Sequence, residues 1–328
     1  MRNYDYNLAV RFVSDYKLPI DVCTQTEFEY ALDMYEDVWK AKTKWLDLLA
    51  NIEKSYPDAD DPIETFLKDY YDTRDKIITT IENSPEYKHF NEVMFYDVKS
   101  MVYPKAKNGS KGIYNQANIG KHFISIDMKN ANFQTLRHCG VIKGITYRHF
   151  INQYCSGFMC DYITESKYSR QVIFGKLNPS RTISIEKYII ATILYRMASA
   201  LNIDIEDKLM CINSDEIILM EDEQNPMADK IREWCTTDGN TEVEVRVEDF
   251  ILRGYEFDVV KPDGSEHKLG EFYRKSCDAE GKYKAIPLPY YRILTKLLSN
   301  KEVTEQDRII MYDKCRALLL DPIIVKEL

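Results

Sequence analysis

The feature that most constrains the fold is a run of twelve residues, Leu209-Met210-Cys211-Ile212, Asn213-Ser214-Asp215-Glu216 and Ile217-Ile218-Leu219-Met220. Four apolar, four polar and four apolar positions predict a β-hairpin with carboxylates at its tip. Upstream, His122-Phe123-Ile124-Ser125-Ile126-Asp127 predicts a short buried strand that also ends in a carboxylate. Between them, Ile185, Ile189, Ile190, Ile193, Leu194, Met197 and Leu201 share one face of an amphipathic helix over 183–201. Beyond the hairpin, Val243, Val245 and Val247 alternate with acids and Arg246, which predicts strands over 241–260. Pro262-Asp263-Gly264 then makes a turn.

The first third of the chain has a different period. Phe28, Leu32, Tyr35, Trp39, Lys42, Leu46 and Leu49 form a heptad stripe broken only by Lys42, which predicts one long helix over 27–53. After a loop rich in proline and acid, Asp61 and Pro62 suit the cap and first position of a second helix carrying Phe66, Leu67, Tyr70, Ile77, Ile78 and Ile81. The pair reads as a helical packing arm. The stretch from Pro287 to Leu328 is expected to be mainly helical. Helices, a strand, helices, a hairpin, strands and helices in that order make an α+β chain with an antiparallel sheet. The expected organisation is a helical region over 1–119, a core over 120–275 and a helical region over 276–328.

Composition adds exclusions. Against 44 Lys and Arg stand 53 Asp and Glu, a net charge of −9, which argues against a nonspecific nucleic-acid coat but leaves room for a local basic channel. Lys105, Lys107, Lys111 and Lys121, around Asn108-Gly109, are the candidate for such a basic loop. No apolar run is long enough to span a membrane, and the first residues lack an apolar leader, so a cytoplasmic setting is expected. Cys155 and Cys160 lie close, with His149 upstream, but no second close pair of ligands follows. The eight cysteines are therefore expected to be buried, reduced thiols.

Asp127 and the Asp215-Glu216 tip carry the chemistry. If their strands are neighbours, the carboxylates converge, and mutual repulsion calls for a divalent cation such as Mg²⁺ (or Mn²⁺). The plainer alternative is two unrelated acidic turns. The surrounding residues favour convergence. Asp127-Met128-Lys129-Asn130-Ala131-Asn132-Phe133 is similar to the first palm motif of family-B DNA polymerases, above all the protein-primed branch, which carries Asp-x-x-Ser-Leu-Tyr-Pro. Lys167-Tyr168-Ser169-Arg170-Gln171-Val172-Ile173-Phe174-Gly175-Lys176 resembles their Lys-x-x-x-Asn-Ser-x-Tyr-Gly-Lys helix, with Gln171 for Asn and Phe174 for Tyr. Asn213-Ser214-Asp215-Glu216-Ile217 resembles Asp-Thr-Asp-Ser-Ile, with Asn213 for the first Asp. Lys268-Leu269-Gly270-Glu271-Phe272 resembles the Lys-Leu-Gly-x-Trp/Phe segment.

The resemblance covers about 120–275 and implies a reduced polymerase palm without an exonuclease domain, flanked by helical fingers and thumb. It implies template-directed nucleotidyl transfer by two-metal chemistry onto a nucleic-acid primer. Asp127 and Asp215 would be catalytic metal ligands, with Glu216 assisting. Lys167, Arg170, Phe174, Gly175 and Lys176 would meet the incoming nucleoside triphosphate, and Lys268, Arg274 and Lys275 the primer–template. Asn132 stands where the family has the Tyr that excludes a ribose 2′-OH, so a ribonucleotide-using primase, RNA polymerase or reverse-transcriptase-like palm is an alternative. Others are a polymerase-derived binding module without catalysis, and a helical interaction protein. Compactness suggests a viral or mobile-element setting, or a protein partner that supplies processivity.

Overall fold

The computed structural model describes all residues except 1–3, 19, 21–23, 93–100, 108–111, 144–145, 223–225, 238–242, 279–281, 313–314, 321–323 and 327–328. The fold is α+β, and the chain divides into two compact units, 1–95 with 136–182 and 96–135 with 183–328.

The first unit is helical. It contains α1 (Tyr6–Tyr16), α2 (Gln25–Met34), α3 (Glu36–Trp39), α4 (Ala41–Ser55), α5 (Pro62–Asn83) and α6 (Pro85–Glu92). The chain then passes through α7 (Ala131–His138), whose end enters this unit, to α8 (Tyr147–Ile151), α9 (Gly157–Glu165) and α10 (Lys167–Gly175). The expected single helix over 27–53 is in fact three. Lys40 adopts a left-handed backbone, φ 55°, and breaks the run. Past the break the buried face shifts to Ala41, Trp45, Leu48 and Ile52, and Leu46 is left exposed. Trp45 meets Phe12 and Phe28 edge-on, so aromatic packing rather than the heptad stripe sets the register. Asp61 caps α5 through the Ile63 and Glu64 amides, with Pro62 in the first turn, as expected.

A buried polar network joins α1, α5, α9 and α10. Arg11 donates to Asp15 at 2.8 Å and to Ser169 at 2.7 Å, and its guanidinium lies 3.8 Å from the Tyr70 ring centroid. Asp15 also accepts from Ser166 at 2.6 Å and from Tyr162. Burial raises the Asp15 carboxyl, and Arg11 pulls it back.

The second unit is built on an open antiparallel sheet. Its strands are β1 (His122–Met128), β2 (Leu209–Ile212), β3 (Glu216–Met220), β4 (Val245–Val260), β5 (Glu266–Ser276) and β6 (Tyr283–Lys284), in the order β2-β3-β1-β4-β5-β6. β7 (Ile309–Tyr312), β8 (Cys315–Leu319) and β9 (Ile324–Lys326) follow, with β8 and β9 pairing with β4. The helices are α11 (Pro179–Leu201), which begins in the first unit, α12 (Ile205–Lys208), α13 (Ala228–Thr237) and α14 (Leu288–Leu298). The expected helical end is therefore only partly so. After α14 the chain returns to the sheet, because β4 is long enough to pair along its far half with these strands.

β4 separates two apolar clusters by simple alternation. Tyr255, Phe257 and Val259 pack with Tyr290, Ile293 and Leu294 of α14 on one face. Phe250 and Leu252 pack with Phe123, Ile218 and Met210 on the other. The segment before β1 lies along β4: Gly120 donates to the Leu252 carbonyl at 2.8 Å, and Leu252 donates to that of Lys121 at 3.1 Å. Gly254 allows this approach, since a Cβ there would meet Ile119 Cδ1 at 2.8 Å. Among the described residues, no helix is long and apolar enough to cross a membrane.

Candidate active site

Every second residue of a strand faces the same way. On β1 this places Ser125 and Asp127 together. The β1–β4 register sets Arg246 opposite Asp127 and Glu248 opposite Ser125, and the β1–β3 register sets Glu216 opposite Asp127. The Met128 amide donates to the Asp215 carbonyl at 2.8 Å, tying the hairpin turn to the end of β1. The two acidic tips therefore meet. Arg274 of β5, Lys284 of β6 and Tyr114 complete a cleft of about 360 Å³.

The charges are arranged in pairs. Arg246 meets Asp127 at 2.8 Å, Arg274 meets Glu216 at 2.7 Å, and Lys284 meets Glu248 at 2.6 Å. Among the described residues lining the cleft, that leaves Asp215 as the carboxylate without an ion pair. Burial raises the Asp127 carboxyl; Arg246 opposes this, while Glu216 and Asp215 add to it. Burial acts the same way on Glu216, but the Arg274 fork, with the Ser125 hydroxyl at 2.6 Å, outweighs it and holds that carboxyl below its ordinary value. Glu248 is buried, and its Oε1 has no hydrogen-bond partner. Glu186 of α11 is buried too, with an orphaned Oε1. Burial, and secondarily the charge of Asp215, push its carboxyl up to about 7.

No protein-family model matches this chain, and no curated protein or solved structure matches it significantly.

The site predicted from sequence is partly assembled. Asp127 and Asp215 come together. Glu216 is beside them but is spent on Arg274 and Ser125, so it is not placed as a metal ligand. Arg274 is likewise not a free primer contact: it holds Glu216, donates to the Tyr114 hydroxyl at 2.8 Å and lies 4.7 Å from the Phe250 ring centroid. Lys268 and Arg274 share a face of β5 but stand about 20 Å apart along it, and Lys275 takes the opposite face. The three cations do not form one phosphate track. Asn132 is half-buried in the first turn of α7, just after Asn130 turns the chain out of β1 through a left-handed backbone, φ 51°.

Lys167, Arg170, Phe174 and Gly175 lie on α10, with Lys176 at its C-cap, and belong to the helical unit rather than the sheet unit. Lys167 and Lys176 are exposed, and Arg170 lies over the Tyr147 ring at 5.7 Å. A Cβ at Gly175 would meet nothing within 4 Å. Phe174 cannot floor a base pair, because it is buried against Tyr147 and Phe150 in the core. In the basic loop, Lys107 pairs with Asp207 at 2.9 Å and Lys105 is exposed, while Lys111 and Asn108-Gly109 lie outside the described residues.

Sequence reasoning missed Ser125, Glu248, Lys284, Tyr114 and Glu186. Ser125 and Glu248 each had a local signal, an even-spaced polar residue in an apolar strand, but only the strand register shows that they face Asp127. A larger pocket of about 670 Å³ in the helical unit is lined in part by Asp15, Tyr162 and Ser166, which the buried network already uses.

Proposed function

We propose that the sheet unit is the catalytic palm of a metal-dependent nucleotidyltransferase that extends a nucleic-acid primer against a template. The observation that carries this reading is the meeting of Asp127 and Asp215 on adjacent strand ends, held by the Met128–Asp215 hydrogen bond. The resemblance of four motifs in family-B order adds to it. The donor set is all oxygen, which suits Mg²⁺ or Mn²⁺, and the orphaned Glu248 Oε1 offers one more oxygen in the same cleft. Asp127 and Asp215 would hold the ions. When bound, they would activate the attacking hydroxyl oxygen and stabilise the departing pyrophosphate. Arg246, more than half exposed beside Asp127, would turn to the triphosphate, whose charge it matches. Arg274 would keep Glu216 from competing for the cations. Asn132, smaller than the Tyr of the family, would leave room for a ribose hydroxyl.

Extension of a labelled primer–template tests the proposal, with Mg²⁺ or Mn²⁺ and separate deoxyribonucleotide and ribonucleotide reactions. Native chain that extends, beside Asp127→Asn and Asp215→Asn chains that fold and do not, is the expected result. Absence of incorporation on every template would overturn catalysis. A second reading, a palm-derived module that binds nucleic acid without catalysis, draws on Asn213 and on the three ion pairs that neutralise the cleft from within. Template binding without incorporation would favour it.

A further inference from the structure

A second cluster of ligand atoms lies on the other face of the sheet. His122 opens β1, and the register sets it opposite Ile251 and sets Asp249 opposite Ile124. His122 and Asp249 are therefore diagonal neighbours, on the face opposite Asp127 and Ser125. Cys277 follows the last residue of β5, and its amide donates to the Asp249 carbonyl at 2.8 Å, which fixes it over that strand. One nitrogen of His122, one oxygen of Asp249 and the Cys277 sulfur lie within 4.8 Å of one another, with Sγ 4.0 Å from His122 Nδ1. Ordinary zinc bond lengths at a tetrahedral angle require a sulfur–nitrogen separation of about 3.5 Å. That pair would close by about half an ångström, and the wider separations of the cluster, up to 4.8 Å, by more.

Two further observations point to a cation. Asp249 Oδ1 is buried without a hydrogen-bond partner, an unusual state for a carboxylate oxygen. The neighbouring acids are already arranged as a supporting shell. Asp278 accepts from the Asp249 amide at 3.1 Å and from Arg232. Glu221 accepts from the Met227 and Ala228 amides at 3.1 Å, at the start of α13. Both are thus spent as first ligands while adding negative charge nearby. Cys277 is exposed, so ions and water can reach the cluster.

We propose that His122, Asp249 and Cys277 bind one Zn²⁺ ion, with water in the fourth position. Mixed sulfur, nitrogen and oxygen donors select a borderline metal over Mg²⁺, so this site would not compete with the carboxylate cleft. Three protein ligands with one open position could stay structural, clamping the end of β5 to β1 and β4. The proposal is independent of any nucleotidyl transfer.

Co²⁺ titration of the reduced full-length chain is the test. The expected result is a thiolate-to-cobalt charge-transfer band in the near ultraviolet that saturates at one equivalent and that one equivalent of Zn²⁺ abolishes. Cys277→Ser should remove the band. His122→Gln and Asp249→Asn should weaken Co²⁺ binding, read from this band, at least tenfold, while Cys235→Ser leaves it unchanged. Far-ultraviolet circular dichroism confirms that each variant is folded. Zn²⁺ should raise the melting temperature of the native chain and not of folded Cys277→Ser. No stoichiometric band, or a band that survives in Cys277→Ser, would overturn the proposal.

Discussion

Arg274 grips both carboxylate oxygens of Glu216, at 2.7 and 3.3 Å, although β4 and β1 lie between their strands. Both side chains are mostly buried, 11% and 16% exposed, so removing one partner strands the other's charge. Arg274→Ala should therefore cost about 3 kcal/mol in urea unfolding. Arg274→Lys should recover only part of this, because an ammonium cannot reproduce the fork. In a double-mutant cycle, adding Glu216→Gln to Arg274→Ala should restore stability. Simple additivity would mean the pair is not coupled.

Glu186 gives the unit a pH dependence of definite sign. Its carboxyl sits at about 7 in the folded chain against an ordinary 4.5. Between those values the folded chain holds a proton that the unfolded chain releases. Stability therefore falls as pH rises from 4.5 to 7, and the loss is complete above 7. The size is about 3 kcal/mol, at 1.4 kcal/mol per pH unit. Denaturation of the native chain and Glu186→Gln, both in chelator, should show this difference growing across that window and flat outside it. A pH-independent difference would mean Glu186 stays charged throughout.

What was legible in sequence was local. The hairpin, β1 and α11 follow from patterns a few residues long, and their carboxylate tips follow with them. Features set by distant partners were not legible. Lys40 breaks a helix whose stripe was interrupted only at Lys42, because Trp45 is drawn to Phe12 and Phe28. The strands after α14 form because β4 extends past its pairing with β1 to receive them. Arg274 read as a primer–template contact, and only a contact across two intervening strands commits it to Glu216. The His122, Asp249 and Cys277 cluster has no spacing to recognise, since register alone assembles it. Phe174, which stands in place of the motif's Tyr, shows the converse: a position can fall in register with a motif while the side chain turns into the core.

Arg246 competes with any cation for Asp127. Its guanidinium sits 2.8 Å from Oδ2, yet the side chain is 54% exposed, so the pair is a weak one that a divalent ion can displace. Exposed pairs contribute about 0.2–1 kcal/mol, so Arg246→Ala should bind Mn²⁺ up to about fivefold more tightly, read by calorimetry. If the freed guanidinium then serves the triphosphate, the same variant should incorporate nucleotides more slowly despite its better metal affinity. The two effects run in opposite directions, which separates this role from a merely structural one. Tighter Mn²⁺ binding with unchanged incorporation would leave Arg246 only a counter-ion. Mn²⁺ binding left unchanged by Asp127→Asn would remove Asp127 from the metal site.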